Sequence, residues 1–234
     1  MTGMINKQLN EDAFLAVVER YLSGLKADPF HRYKSWDHCF EAFKSETDTN
    51  QLALHLGFYL ASWGMYRGSS GLLQKSYLIH EGAVKILLRD EYKQLYCNEK
   101  NEVGPNLVDS IFGLQRDLSG YYSDPGLCGK PISPTDTLIS KIILGTTACV
   151  PAYDRYFIMG LSAEGMVHRS FTVDSIHELL QLIEQPLIFE SQRRIKTAIG
   201  SYYPFMKIMD IFFWQTGFEK NNSNSGTKNG STAV

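Results

Sequence analysis

The sequence predicts an all-α protein, a compact multi-helix single domain, on three observations. Apolar residues recur at i, i+3 and i+4 almost throughout. No run alternates apolar and polar residues long enough to make a half-buried strand, and no internal repeat appears. Residues that start and stop helices bracket the periodic stretches. With 234 residues, 44% of them hydrophobic and 12% aromatic, the chain can bury a sizeable core, which excludes global disorder.

The first helix spans Asn10 to about Ala27, with Phe14, Val17, Val18, Tyr21, Leu22 and Leu25 on one face. Asn10 is its N-cap, and Glu11 and Asp12 lie in the first turn, where the helix dipole favours acids. A second helix fits Ser35–Ser45, with Trp36, Cys39, Phe40 and Phe43 inward. A third, about Asn50–Tyr66, is apolar on most sides, the pattern of a buried central helix. Arg67-Gly68-Ser69-Ser70-Gly71 breaks it. Ser70 then caps a long helix reaching Tyr96, and another follows over Pro105–Tyr122. Asp124-Pro125-Gly126 and Gly129 mark residues 123–131 as a loop. Ser133 at N-cap, Pro134 at N1 and Asp136 at N3 open the next helix, which ends near Gly145. Four more fit Pro151–Leu161, Thr172–Glu184, Pro186–Ile199 and Pro204–Thr216. The ordered domain is thus 1–218, and the Asn/Ser/Gly/Lys/Thr-rich stretch 219–234 is expected as a flexible tail.

Composition bounds function. The 23 Lys+Arg against 25 Asp+Glu give a formal net charge of −2. This excludes a strongly basic nucleic-acid binder but not a small local basic groove. The start of the chain is polar and lacks a signal-peptide h-region. Charges interrupt the apolar stretches before about 18 residues, so no membrane span is expected. Cys39, Cys97, Cys128 and Cys149 are far apart with no CxxC. They indicate neither a metal site nor a disulfide framework, and reduced thiols in a cytoplasmic protein are expected.

Two constellations carry chemistry. In the first, a helix bearing Lys141 stops at Gly145, and Thr146 and Thr147 follow in a short turn. Val150-Pro151-Ala152-Tyr153 then leads to Asp154 at the next helix start, beside Arg155. Exposed amides at such a turn can hold a phosphate. A fixed carboxylate beside a sugar can stabilise an oxocarbenium-like transition state or orient a water. The same Asp also reads simply as a helix cap. The second is Trp63-Gly64-Met65-Tyr66-Arg67-Gly68-Ser69-Ser70-Gly71 with Gln74. Its aromatics can stack on a base, Arg67 can meet a phosphate, Ser69 and Ser70 offer hydroxyls, and Gln74 can read a base edge. A tight interhelical turn around a core Trp is the structural alternative. Arg193, Arg194 and Lys196 add a basic stretch on one helix, which reads equally as a solvated face.

Val150-Pro151-Ala152-Tyr153-Asp154 resembles the apolar-Pro-x-x-Asp segment of the helix-hairpin-helix DNA glycosylase superfamily, in a divergent form. The resemblance directly covers about residues 133–160. The family's Leu-Pro-Gly-x-Gly hairpin core is reduced to Leu144-Gly145. The resemblance implies base flipping and hydrolysis of an N-glycosidic bond in double-stranded DNA, without metal or organic cofactor. Asp154 falls where the family's catalytic acid does. Lys141, in the region where some members place a lysine, is the second candidate catalytic residue; it lies closer to Asp154 than the Schiff-base lysine of lyase-active members, which implies a monofunctional enzyme. Trp63, Tyr66, Arg67, Ser69, Ser70, Gln74 and Tyr153 are the candidate substrate contacts. Gly145, Thr146, Thr147, Arg155, Arg193, Arg194 and Lys196 are the candidate DNA contacts. Members that depart this far include bacterial antiviral enzymes that remove modified bases from phage DNA. Two other readings stay open: an RNase like the helical HEPN toxins, using Arg32 and His38, and a non-enzymatic helical module binding protein or nucleic acid.

Overall fold

The computed structural model describes residues 7–96, 106–128 and 133–228. Cys97, Pro105, Gly129 and the ends at 1–6 and 229–234 lie outside the described residues. Among the described residues the elements are all helical, and no helix is long and apolar enough to cross a membrane. In order they are α1 (Glu11–Ala27), α2 (Lys34–Ser45), α3 (Thr49–Ser62), α4 (Glu81–Leu87), α5 (Leu107–Ser123) and α6 (Pro125–Cys128). Then come α7 (Asp136–Thr146), α8 (Arg155–Ala163), α9 (Val173–Leu182), α10 (Pro186–Ile199) and α11 (Phe205–Lys228). Short 3-10 segments lie at Gly68–Ser70, Tyr77–His80 and Asp90–Leu95.

Where the sequence reading expects one domain, the chain divides into two units, Met1–Gly24 with Tyr153–Val234, and Leu25–Ala152. In the first unit both ends of the chain share a core. Phe14 of α1 stacks on Phe212 of α11 with ring centroids 4.3 Å apart. Arg20 grips Glu219 through two hydrogen bonds of 2.8 and 3.0 Å. The extensive α8–α11 packing depends on two glycines. A Cβ on Gly160 would overlap the Phe213 carbonyl, and one on Gly217 the Tyr156 carbonyl. Backbone therefore meets backbone where these helices cross.

The second unit is built around α3, against which α2, α4 and α7 pack. Trp36 of α2 is fully buried and donates its indole N–H to the Leu144 carbonyl of α7, 2.8 Å away. Tyr59 of α3 lies on the Gly145 backbone of α7, filling the space a Cβ would need.

Several boundaries differ from the sequence reading for local reasons. The expected helix from Ser70 to Tyr96 is interrupted. Gly71 turns left-handed at φ 74°, and Ser76 caps a separate 3-10 turn by accepting from the Leu78 amide. Ser133 does not cap α7; Thr135 does, accepting from the Leu138 amide at 3.3 Å. The helix expected from Pro151 begins at Arg155 instead, after an extended approach. The expected tail from 219 continues α11 to Lys228.

Candidate functional site

Asp154 belongs to the first unit and is the N-cap of α8. Its Oδ1 accepts from the amides of Tyr156 and Phe157 at 3.0 and 3.1 Å. Its Oδ2 accepts from the indole N–H of Trp214 in α11 at 3.3 Å. Trp214 is itself fixed, stacked on Phe218 at 5.1 Å and edge-on to Tyr156 at 5.5 Å. Both oxygens thus face N–H donors from rigid elements, while the residue stays half-buried rather than enclosed. The amide bonds are those of a helix cap, the structural reading of this residue, and they also hold the carboxylate in a fixed orientation that need not reorganise.

The neighbours of Asp154 divide. Arg155 is exposed, donates to Asn221 at 2.7 Å and lies over the Tyr156 ring. Tyr153 is not a surface contact. It is 1% exposed, stacks on Phe171 at 5.0 Å, and its hydroxyl pairs with Ser175 at 2.7 Å. The predicted substrate role for Tyr153 gives way to a core role, because a phenol buried this far has its ring and hydroxyl committed inside.

In the second unit the turn after α7 is also interior. Gly145, Thr146 and Thr147 are buried. The hydroxyls of Thr146 and Thr147 bond back to the Ile142 and Ile143 carbonyls at 2.9 and 3.1 Å. The amides of Thr147 and Ala148 both go to the Ile143 carbonyl. The exposed amide cradle expected for a phosphate is therefore replaced by a helix terminus that satisfies itself. Ala148 pays for this closure with φ 53°, the left-handed region disfavoured for a residue with a Cβ.

Lys141 is buried in α7, and its ammonium lies 5.0 Å from the centroid of the Trp63 ring. Arg32 reaches the same ring from the segment before α2, its guanidinium carbon at 4.8 Å. Tyr33 stacks parallel to Trp63, 6° between planes and 5.9 Å between centroids. Trp63 is thus a hub already surrounded by two cations and a phenol, not an open platform for a base.

Within 66–74, Ser70 is buried, and its hydroxyl closes the turn on the Met65 and Arg67 carbonyls. Arg67, Ser69 and Gln74 remain exposed. The Tyr66 hydroxyl lies 3.0 Å from His80 Nε2, and His80 Nδ1 lies 2.6 Å from the Tyr122 hydroxyl. A neutral imidazole has one donor and one acceptor, so one phenol donates and the other accepts. Burial pushes the His80 pKa down to about 4 and raises that of Tyr66. Sequence reasoning missed His80, because its partners are 14 and 42 residues away and no short-range spacing reports them. It also missed Trp214, whose partner Asp154 lies 60 residues away in sequence.

The basic stretch on α10 is largely offset. Arg193 and Arg194 both bind Glu190, and Arg194 also reaches Glu19. Arg193 first and Arg194 second hold the Glu190 carboxyl down at about 2. Lys196 is exposed, as is His38 on α2. No group of three or more His, Cys, Asp or Glu arranged to hold a metal ion occurs among the described residues. Against protein-family models, curated proteins and solved structures, the chain finds no match.

Proposed function

We propose that the chain is a monofunctional DNA glycosylase with a divergent helix-hairpin-helix glycosylase-like fold, acting on a modified base in double-stranded DNA. The observation that carries this reading is the Asp154 carboxylate, fixed through both oxygens yet half-buried at a helix N-terminus. In the reaction the target nucleotide leaves the stack. The bond from C1′ to the base breaks, and the base leaves with the bonding pair. The carboxylate faces the positive charge that develops on deoxyribose. Water adds at C1′ and gives up its proton, leaving an abasic site and a free, protonated base. Lys141 takes no covalent part, and no metal or organic cofactor enters.

In the unit that carries Asp154, the exposed Arg155 and Lys196 are the polar contacts this reading retains for DNA. Gly145, Thr146, Thr147 and Tyr153 drop out because they are interior. Removal of modified bases from phage DNA in antiviral defence is the biological setting that fits a chain so far from the family's hairpin pattern.

The test is base release from modified phage DNA and from ordinary damaged DNA, scored as abasic sites. Asp154→Asn keeps the cap, because Asn serves as well as Asp there, but removes the negative charge. It should lower the rate by at least about 100-fold. Equal abasic-site yields from wild type and Asp154→Asn on every substrate would sink the reading.

A further inference from the structure

We propose that α3 presents a two-fold dimer interface, where a second copy of this chain packs antiparallel on its exposed apolar stripe. From Thr49 to Tyr66 the chain contains no Asp, Glu, Lys or Arg. Packing of α2, α4, α7 and the Tyr77–His80 turn covers most of α3. One stripe stays outside. Leu54 is 42% and Phe58 57% exposed, and Ala61 is exposed one turn further on. The spacing i, i+4 and i+7 places all three on one line along the helix. Tyr77 borders this line, seated where a Cβ on Gly57 would overlap it, with its hydroxyl 3.4 Å from the Asn50 side-chain oxygen. Leu78, next in the chain, is also exposed. A charge-free apolar line with an aromatic near its middle has the composition of an interface core.

The charges at the two ends of the stripe select its occupant. Glu46 and the N-cap Asp48 precede it, and Arg67 follows it in the turn after α3; Asp48 and Arg67 are exposed. No cation lies along the stripe to meet a phosphate, which sets nucleic acid aside. A lipid surface is set aside as well, because membrane-surface helices carry Lys and Arg beside their apolar face and this one opens on two acids. What fits is an apolar protein surface with a cation at one end and acid at the other, in the opposite sense. A second α3, turned end for end, has that arrangement. Parallel pairing would set acid against acid, whereas antiparallel pairing brings the Asp48 end of each helix to the Arg67 end of the other. Leu54 and Phe58 straddle the middle of the 14-residue helix. A two-fold axis between them therefore seats each Phe58 on the partner's Leu54. Such a contact is self-complementary and closes at two copies. Ser62, beside the stripe, bonds its hydroxyl back to the Phe58 carbonyl at 2.9 Å and enters the contact with its donor satisfied.

This interface lies in the second unit and does not depend on Asp154. The experiment is sedimentation equilibrium of the full chain from about 1 to 500 μM, with a dissociation constant of roughly 10–100 μM expected for a contact of this small size. Phe58→Asp and Leu54→Lys, both at exposed side chains, should each weaken association by roughly tenfold or more. Arg67→Glu should weaken it roughly fivefold at low salt and less at high salt, because the two-fold axis makes it reverse both end contacts at once. Phe30→Ser, at a fully solvated aromatic outside α3, should change nothing. The chain has three tryptophans. Labelled with 5-fluorotryptophan, it gives one fluorine resonance for each, assigned with Trp63→Phe and Trp214→Phe. Dispersed Trp36 and Trp214 resonances report that both units stay folded in the variants. A monomer at every concentration, an association that survives both Phe58→Asp and Leu54→Lys, one that Arg67→Glu leaves unchanged, or a mass that grows beyond two copies would each overturn the proposal. Asp154→Asn should dimerise as wild type does, so a failed base-release assay with the dimer intact would remove the glycosylase reading alone.

Discussion

Asp154 shows how a single side chain can be legible in one role and opaque in another. An acid after an apolar-Pro pair is a readable helix start, and it caps α8. Its second oxygen meets Trp214, 60 residues on, and nothing in local spacing announces that. Stability and activity should therefore separate at this position. Asp154→Ala removes the cap and leaves the Trp214 N–H without its acceptor, at a cost of about 2 kcal/mol. Asp154→Asn keeps the cap and should cost about half as much; urea unfolding of the two variants measures the difference. His80 gives a second test at this scale. Its pKa is about 6.5 unfolded and about 4 folded, so the unfolded chain takes up the proton first as pH falls. The stability tied to neutral His80 is full above pH 6.5 and is lost as pH drops towards 4, a change of up to about 3 kcal/mol. His80→Gln should flatten this part of the pH profile; an unchanged profile would assign the loss to other groups.

At the scale of elements, α10 is read residue for residue because its punctuation is strong: Pro186 at the first position and Gly200 just past the end, left-handed at φ 72°. The stretch 70–96 fails because apolar spacing continues across breaks that Gly71 and Ser76 impose locally. The expected tail fails for the opposite reason. Asn and Ser are poor helix formers, yet Phe218 packs on Trp214 and Tyr156, and Glu219 binds Arg20, so tertiary contacts carry the helix onward. The α8–α11 crossing supplies the prediction. Gly160→Ala drives a methyl into the Phe213 carbonyl and should cost about 3 kcal/mol as the helices separate. Gly120→Ala, on α5 with open space around it, should stabilise by roughly 0.5–1 kcal/mol. Thermal melts of the pair decide: a Gly160→Ala protein as stable as wild type would mean that the crossing is not tight.

For the whole molecule, the all-α class was legible because helical periodicity is local, whereas the division into two units was not, because it depends on which distant faces meet. The first unit is closed by α1, through Phe14 on Phe212, Arg20 on Glu219 and the Tyr21–Tyr203 ring contact. Trp214 is the single tryptophan of that unit; Trp36 and Trp63 belong to the other. Deleting residues 7–24 should collapse the Trp214 fluorine resonance into the unfolded position and leave that of Trp36 dispersed. Simultaneous collapse of both would show that the units unfold as one.

The closure by α1 also sets an order of events at the ribosome. This helix is made before its partners Tyr203, Phe212 and Glu219. With roughly 190 residues between them and synthesis at ~5–20 residues per second, α1 waits on the order of ten seconds or more for its partners. Through that interval the nascent chain displays Phe14, Val17, Val18 and Leu22, all buried in the finished protein, to whatever holds emerging chains in the cell.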